Sequence, residues 1–493
     1  MSGASTQHAS APRFALETPF EGLEPARMWR YFNDLTHIPR ETGNEAGVRA
    51  YVRAYAAARG YACEENEIGD LLLRVRPEAT GPCVALQAHM DMVCVSRDGA
   101  PFDFASEPIR VRRDGDFIGA VATSLGADNG IGVAYALALA EETSGPIEVL
   151  LTVDEEKGFT GVEGVAPGWL RADRLINIDS EEEGYLTIAS AGGRDFSARL
   201  PGARRAATSP LTALEVVIEG LKGGHSGVEI HRGRTNALKV AAKVVVEVQR
   251  RGGAIYALAG GTAPNVIPSS ARVVVGLAPD ALEPFRARLA ALQRELVTEE
   301  DPGLRLVAAA ATPAAAPLTP PVVDTLVRLL EGVPSGVLVP SRLDPAQPFV
   351  SNNLAIAREL PTGAFEVVWM SRSPADGELE KLLGRYRALT TELGIELAAG
   401  KSVRGWAPDY DSKLLARFRE TYRARYGKEA KVLEIHAGLE CGALKAKYPR
   451  MDAISVGPDI TGVHGPDERV SISSAQRTYD LVRAVIDAIH AEG

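Results

Sequence analysis

The stretch VALQAHMDMVCV (84–95) reads as a buried β-strand, aliphatic and β-branched along most of its length, yet it carries His89 and Asp91 near its end. Side chains alternate across a strand, so residues two apart leave from one face, roughly 6–7 Å apart along the chain. Burying an imidazole or a carboxylate without a partner is costly. A lone core histidine is usually satisfied by ordinary neighbours. A carboxylate beside it on the same face points instead to a pair with a shared task.

Outward from this strand, helix and strand alternate. MWRYFNDLTHI (28–38) and EAGVRAYVRAYAAARG (45–60) have helical periodicity, the second stopped by Gly60. Apolar strands are expected at 70–76, 84–90, 147–153 and 174–179, with a crossover helix at 130–142. Continuous apolar strands alternating with helices predict an α/β fold with a mainly parallel sheet covered on both faces. Residues 196–399 differ in texture. LTALEVVIEGLKGGHSG reads as an edge strand running into a glycine-rich loop, and 233–250 as a long amphipathic helix. AAAATPAAAPLTPP (308–321) reads as a linker, because a helix does not continue through its prolines. The domain expectation is a tail at 1–15, a catalytic domain of 16–195 and 400–493, and an inserted α+β lid of 196–399 in two halves with a seam near 308–321.

The 493 residues suit two to four domains at roughly 150 residues each. A net charge of -10 and no run of Lys or Arg argue against a nucleic-acid partner. No apolar stretch of about 20 residues predicts a membrane span, and MSGASTQHASAPRF lacks the features of a secretory signal. Cys63, Cys83, Cys94 and Cys441 form no CxxC pair, so a reduced, cytoplasmic protein without a cysteine-based zinc site is expected.

Acids stand where other strands end. VLLTVDEEKG closes in Asp154, Glu155 and Glu156, LINIDSEEEG brings Asp179, and TSLGADNGIG places Asp128 in a glycine-rich turn before a helix. In open α/β sheets the functional crevice lies beyond the carboxyl ends of the strands. Each acid alone is most simply a solvated loop residue, and Asp128 could merely cap its helix. Together they repel one another and call for a cation. His464, in SVGPDITGVHGPDERV, sits among glycines and prolines that can aim an imidazole. Two histidines and three carboxylates suit a pair of zinc ions, one carboxylate bridging.

At these residues the sequence resembles the two-zinc exopeptidases, most closely their aminoacyl-histidine dipeptidase branch, the cytosol non-specific dipeptidases. The likeness spans nearly the whole chain through LQAHMDMV, SLGADNGIGVA, DEEKGFTG, INIDSEEEG, LKGGHSGVEIHRG, PNVIP, IHAGLECG and GPDITGVHGPDE. It implies that His89, Asp128 and Asp179 bind one zinc and Asp128, Glu156 and His464 the other, with a cis peptide after Asp128. Cobalt or manganese could substitute. It implies that Asp91 orients His89, that Glu155 is the general base, and that His225 helps hold the oxyanion. Asn265, Arg372 and the backbone of Gly438 would meet the substrate's C-terminal carboxylate. His37, His231 and His436 are left as structural. FVSNNLAIARE and MSRSPADGE depart from the branch's wording in the lid, where specificity is set. The expected activity is hydrolysis of unblocked dipeptides, Xaa-His among them. The alternatives are an N-acyl amino-acid deacylase or tripeptidase of the same superfamily, and more remotely a metal-free binding protein. The lid could supply His225 within one chain or across a homodimer.

Overall fold

Strand Val84–His89 lies inside an eight-stranded sheet, fully buried along its length. The computed structural model describes residues 14–207 and 209–492; residues 1–13 of the expected tail and Thr208 lie outside the described residues. Contacts divide the chain into two units. The first comprises the N-terminal part to Ala189, Pro408–Leu433 and Leu439 onwards; the second is Ser190–Ala407 with Glu434–Gly438.

In the first unit, Val84–His89 pairs in parallel with Ile147–Thr152 on one side and Arg174–Asn177 on the other, and Arg174–Asn177 pairs in parallel with Asp452–Ser455. These four all end on one edge of the sheet. The margins are antiparallel: Ala62–Glu65 on Leu71–Val75, Leu71–Val75 on Ile147–Thr152, and Tyr185–Ser190 on Asp452–Ser455. The sheet is thus mixed, parallel only at its centre, and the expectation of a mainly parallel sheet holds for the four strands nearest the acids. Leu71–Val75 matches the strand expected at 70–76, but Ala62–Glu65 and Tyr185–Ser190 were not expected, since antiparallel neighbours need no crossover helix to announce them.

Helix Ala127–Glu142 is apolar around nearly its whole circumference and correspondingly buried. Helix Ala26–Thr36 covers one side and strand Val84–His89 another. The helix starts close against the sheet at Gly132, where a Cβ would run into the Asn129 side chain and the Ile178 carbonyl. A four-stranded sheet of Ile460–Thr461, Arg469–Ser471, Phe117–Ala120 and Val111–Asp114 frames the loop that carries His464.

The second unit differs from the expected pair of halves. Nine of its strands form one antiparallel sheet over a single apolar core that includes Phe196, Val244, Phe285, Leu330 and Trp369. Thr212–Glu219, expected at an edge, lies second, because Arg305–Ala310 pairs outside it. Residues 308–310 of the expected linker therefore close a strand, and Pro320 and Pro321 open helix Pro320–Gly332, where the first turn does not need their missing N–H groups. Ala254–Gly260 and Pro348–Glu359, from either side of the expected seam, are joined at Gly260 and Ala357. The return of Glu434–Gly438 to this unit was not foreseen; Glu434 bonds Ser341, and the Ile435 carbonyl accepts from Ala191 N–H.

Gly132→Ala should lower the denaturation midpoint of the protein, by the equivalent of about 1–3 kcal/mol for overpacking a tight core contact. Gly377→Ala, where a Cβ meets nothing within 4 Å, should leave the midpoint unchanged or slightly raised. Equal midpoints for the two variants in a urea titration would remove the close approach at Gly132 as a packing constraint.

Candidate metal and catalytic centre

The ends of the parallel strands and the turns that follow them place six ionisable side chains together in the first unit. His89 closes its strand and is 1% exposed. Asp179 lies two residues beyond Asn177 on the neighbouring strand, and Glu155 and Glu156 lie three and four beyond Thr152 on the other. Asp128 sits in the first turn of helix Ala127–Glu142, and the Asp128–Asn129 peptide is cis, as the family resemblance implied. His464 is held in left-handed backbone at φ 60° in its loop.

The carboxylate of Asp128 lies between two imidazoles. Its Oδ1 is 3.1 Å from His89 Nε2 and its Oδ2 is 3.1 Å from His464 Nε2. His89 Nε2 is also 3.3 Å from Asp179 Oδ1, and His464 Nε2 is 3.0 Å from Glu156 Oε2. Donor atoms of His89, Asp128 and Glu156 lie within 4.8 Å of one another, as do those of His89, Glu155 and Asp179. Asp154 is in neither group; its positive φ turns the chain, and its N–H donates to Glu45.

Crowding of like charge shows in the proton affinities. Burial pushes Asp179 up to about 6, with Asp128 and Glu156 adding to it against His89. Burial likewise raises Glu155 well above the usual carboxylate range, reinforced by Asp179, Glu440 and Glu156 and opposed by His89. Burial works against the charged form of Asp128 too, but His464 and His89 hold it below its ordinary value. Hydrogen bonds to Asp128 and Glu156 lift His464 to about 11. In this arrangement protons occupy positions where a cation would serve the same lone pairs. The buried Glu156 Oε1 has no hydrogen-bond partner. Imidazole and carboxylate donors at these separations, with an orphaned carboxylate oxygen among them, fit divalent cations.

Asp91 does more than the sequence suggested. Its Oδ1 lies 3.3 Å from His89 Nδ1, although the ring nitrogen makes no well-formed hydrogen bond. The same carboxylate accepts the Glu155 N–H on Oδ1 and the Glu156 N–H on Oδ2, both at 3.2 Å, and the Thr42 hydroxyl at 2.9 Å. One acid thus holds both the histidine and the turn that carries the two glutamates. A further buried acid went unrecognised, although it stands in the quoted IHAGLECG. Glu440 accepts from Gln87 Nε2 at 2.5 Å and Thr152 Oγ1 at 2.6 Å, and burial raises it to about 8. Gln87 in turn accepts from Asn177 Nδ2 at 2.5 Å, so a polar layer runs beneath the cluster across three strands. Polar residues inside apolar strands were the available signal.

The remaining expected residues lie in the second unit. His225 pairs with Val266 in a two-stranded ribbon, which places Asn265 at the adjoining position. His225 Nδ1 accepts the N–H groups of Gly227 and Val228, both at 3.3 Å, so its proton resides on Nε2. Arg372, 8% exposed on strand Phe365–Ser373, makes no ion pair or side-chain hydrogen bond among the described residues. Burial, then the Arg372 charge, lowers His225 and takes His436 down to about 3. His436, left as structural by the sequence, has Nε2 2.7 Å from Ser351 Oγ; Gly438 follows two residues later. His37, also left as structural, donates to the Asn33 carbonyl in the first unit.

Known proteins match the chain in sequence and in fold. The profile of peptidase family M20/M25/M40 matches residues 85–488. The chain is 36% identical to the cytosol non-specific dipeptidase of Escherichia coli (strain K12) over 95% of this chain and 99% of that protein. It is similar in structure to the aminoacylhistidine dipeptidase of Vibrio alginolyticus, with a TM-score of 0.88 and 32% identity over 95% of this chain and 98% of that one. A tripeptidase from Staphylococcus aureus shares the fold, at a TM-score of 0.54 and 15% identity over 95% of this chain and 99% of that one.

Asp91 provides a pH test on chelator-treated protein. Although burial opposes it, contacts with His89 and the turn amides hold its carboxyl down at about 2. A carboxyl whose folded value lies below its unfolded value, about 3.9, stabilises the fold above that value and ceases to do so as pH falls toward the folded one. Stability on the order of 2 kcal/mol should therefore be lost between about pH 4 and pH 2. Asp91→Asn should be less stable at neutral pH and show a shallower decline across that window in calorimetry. A variant with the parent's full decline would contradict the assignment.

Proposed function

The chain belongs to peptidase family M20/M25/M40, and from that membership we propose that it is a two-zinc dipeptidase that hydrolyses unblocked dipeptides, Xaa-His among them. The observation that carries the reading is the Asp128 carboxylate with one imidazole on each oxygen. The likeness to a non-specific dipeptidase and to an aminoacylhistidine dipeptidase, at 36% and 32% identity, supports the substrate class, whereas the tripeptidase shares only the fold, at 15% identity. The name of the cytosol relative supports a cytoplasmic location, and among the described residues no helix is long and apolar enough to cross a membrane.

His89, Asp128 and Asp179 would hold one zinc, and Asp128, Glu156 and His464 the other, with cobalt or manganese as substitutes. When bound, such cations polarise a peptide carbonyl and lower the pKa of water to about 7. Glu155 takes the proton of the attacking water and delivers it to the departing amine nitrogen. Burial, the largest influence on its carboxyl in the metal-free cluster, favours the protonated form, which suits a group that must accept a proton and then return it. Asp91 keeps His89 and the Glu155–Glu156 turn in register.

In the second unit, the Nε2–H of His225 would donate to the carbonyl oxygen as negative charge develops there. Arg372 would receive the C-terminal carboxylate of the dipeptide, with Asn265 and the backbone of Gly438. A buried guanidinium without an acid within ion-pair distance is costly unless a ligand supplies one, and its fork meets a carboxylate in two bonds.

Glu155→Ala should keep its metal content and lose about 10²- to 10⁴-fold in kcat, whereas Glu156→Ala should lose metal as measured by elemental analysis. A Glu155→Ala protein that purifies without metal overturns this division of roles. Parallel assays on alanyl-histidine, carnosine, a tripeptide and an acetylated amino acid should show turnover of the dipeptides. Turnover of the acetylated substrate alone would replace the dipeptidase reading with a deacylase.

A further inference from the structure

Two buried charges lie behind the cluster in the first unit, and neither is among the donors. Arg40, 2% exposed, donates through Nη1 to the carbonyls of Met90 at 3.2 Å and Asp91 at 3.0 Å, and through Nη2 to the carbonyl of Gly126. Glu468, 3% exposed, accepts the N–H groups of Leu125 at 2.7 Å and Gly126 at 2.9 Å on Oε2, and that of Asp128 at 3.2 Å on Oε1. The turn Leu125–Asp128 is thereby gripped by its carbonyl from one side and by its amides from the other. Gly126 and Gly130 leave room for the guanidinium: a Cβ on either would lie 2.5 or 2.6 Å from Arg40 Nη2.

The two grips lead to different histidines. Met90 and Asp91 directly follow His89, so Arg40 ties the Asp128 turn to the strand end that carries His89. Glu468 stands four residues after His464, just before strand Arg469–Ser471, so it ties the same turn to the loop that carries His464. A buried pair of charges is weak evidence for stability, since apolar residues of similar volume often stabilise a core as well or better. Its distinctive property is geometric: several directed bonds to fixed backbone atoms hold position more closely than apolar contact does.

We propose that Arg40 and Glu468 are positioning residues that set the two oxygens of Asp128 separately, Arg40 governing the His89 side and Glu468 the His464 side. The proposal rests on the two-cation reading above. Each residue acts through the backbone that carries the donors, and each therefore controls one cation more than the other. Partners beyond the donors typically change metal affinity by roughly 10- to 100-fold.

The test is titration of chelator-stripped full-length protein with Co²⁺, followed by its visible absorption and by elemental analysis, with Asp179→Ala and Glu156→Ala assigning the two binding events. Glu468→Gln, which keeps the volume but can no longer accept three N–H groups, should weaken the event that Glu156→Ala removes by roughly 10- to 100-fold and leave the other within about threefold. Arg40→Met should do the converse, and Arg40→Lys, which keeps the charge without the fork, should recover part of the loss. The lysine variant also stands in if the methionine variant does not fold. Thermal midpoints of the metal-free proteins separate positioning from bracing: selective loss of one event, beyond what the midpoint shift explains, supports the proposal. Equal weakening of both events in each variant, or no change in either, overturns it. A parent protein that binds fewer than two Co²⁺ ions overturns the two-cation reading first, and this assignment with it.

Discussion

Repulsion between carboxylates is the constraint around which the first unit is arranged. Two such charges about 4 Å apart repel by roughly 4 kcal/mol at an effective dielectric of 20, and here Asp128, Glu155, Glu156 and Asp179 converge on two imidazoles. Left to protons alone, the cluster responds by raising Asp179 and Glu155 and by charging His464. Divalent cations, which the family implies, would answer the same repulsion through the same lone pairs.

Holding like charges together requires a frame that cannot relax, and the apolar interior supplies it. Strands Val84–His89 and Ile147–Thr152 are buried along their entire lengths, and helix Ala127–Glu142 is sealed between sheet and neighbouring helices. The polar groups that enter this interior are tied down in turn. Asp91 spans from His89 to the amides of Glu155 and Glu156, Glu440 gathers Gln87 and Thr152, and Asn129 donates to Asp179 at 2.5 Å. Buried polar groups satisfied in this way fix orientation as well as register.

The second unit follows a complementary logic. Its notable charge is a buried guanidinium, Arg372, with two imidazoles under its influence and no acid in ion-pair range among the described residues. Asp195 offsets part of the cost of burying that charge without forming an ion pair with it. Tethering of Nδ1 by the amides of Gly227 and Val228 also fixes which nitrogen of His225 can donate.

Much of this was readable in the sequence, because the donors stand at strand ends or in glycine-rich turns within long motifs. The period-two spacing of His89 and Asp91, the acids closing apolar runs, and His464 among glycines and prolines are local signals, and local geometry keeps them local. The antiparallel margins of the first sheet, the position of Thr212–Glu219 inside the second, and the strand hidden in the alanine-rich 305–310 were not readable. Strand order depends on pairing between segments far apart in the chain, which periodicity does not encode. The same reason hid Arg40, Glu468 and Glu440. By its sequence alone this protein declared the residue types of its centre, the strands and helices that bear them, and the family whose motifs it carries. Tertiary structure alone decided which oxygen of Asp128 faces which histidine and which buried charges hold that turn, because those relations exist only once distant segments share one interior.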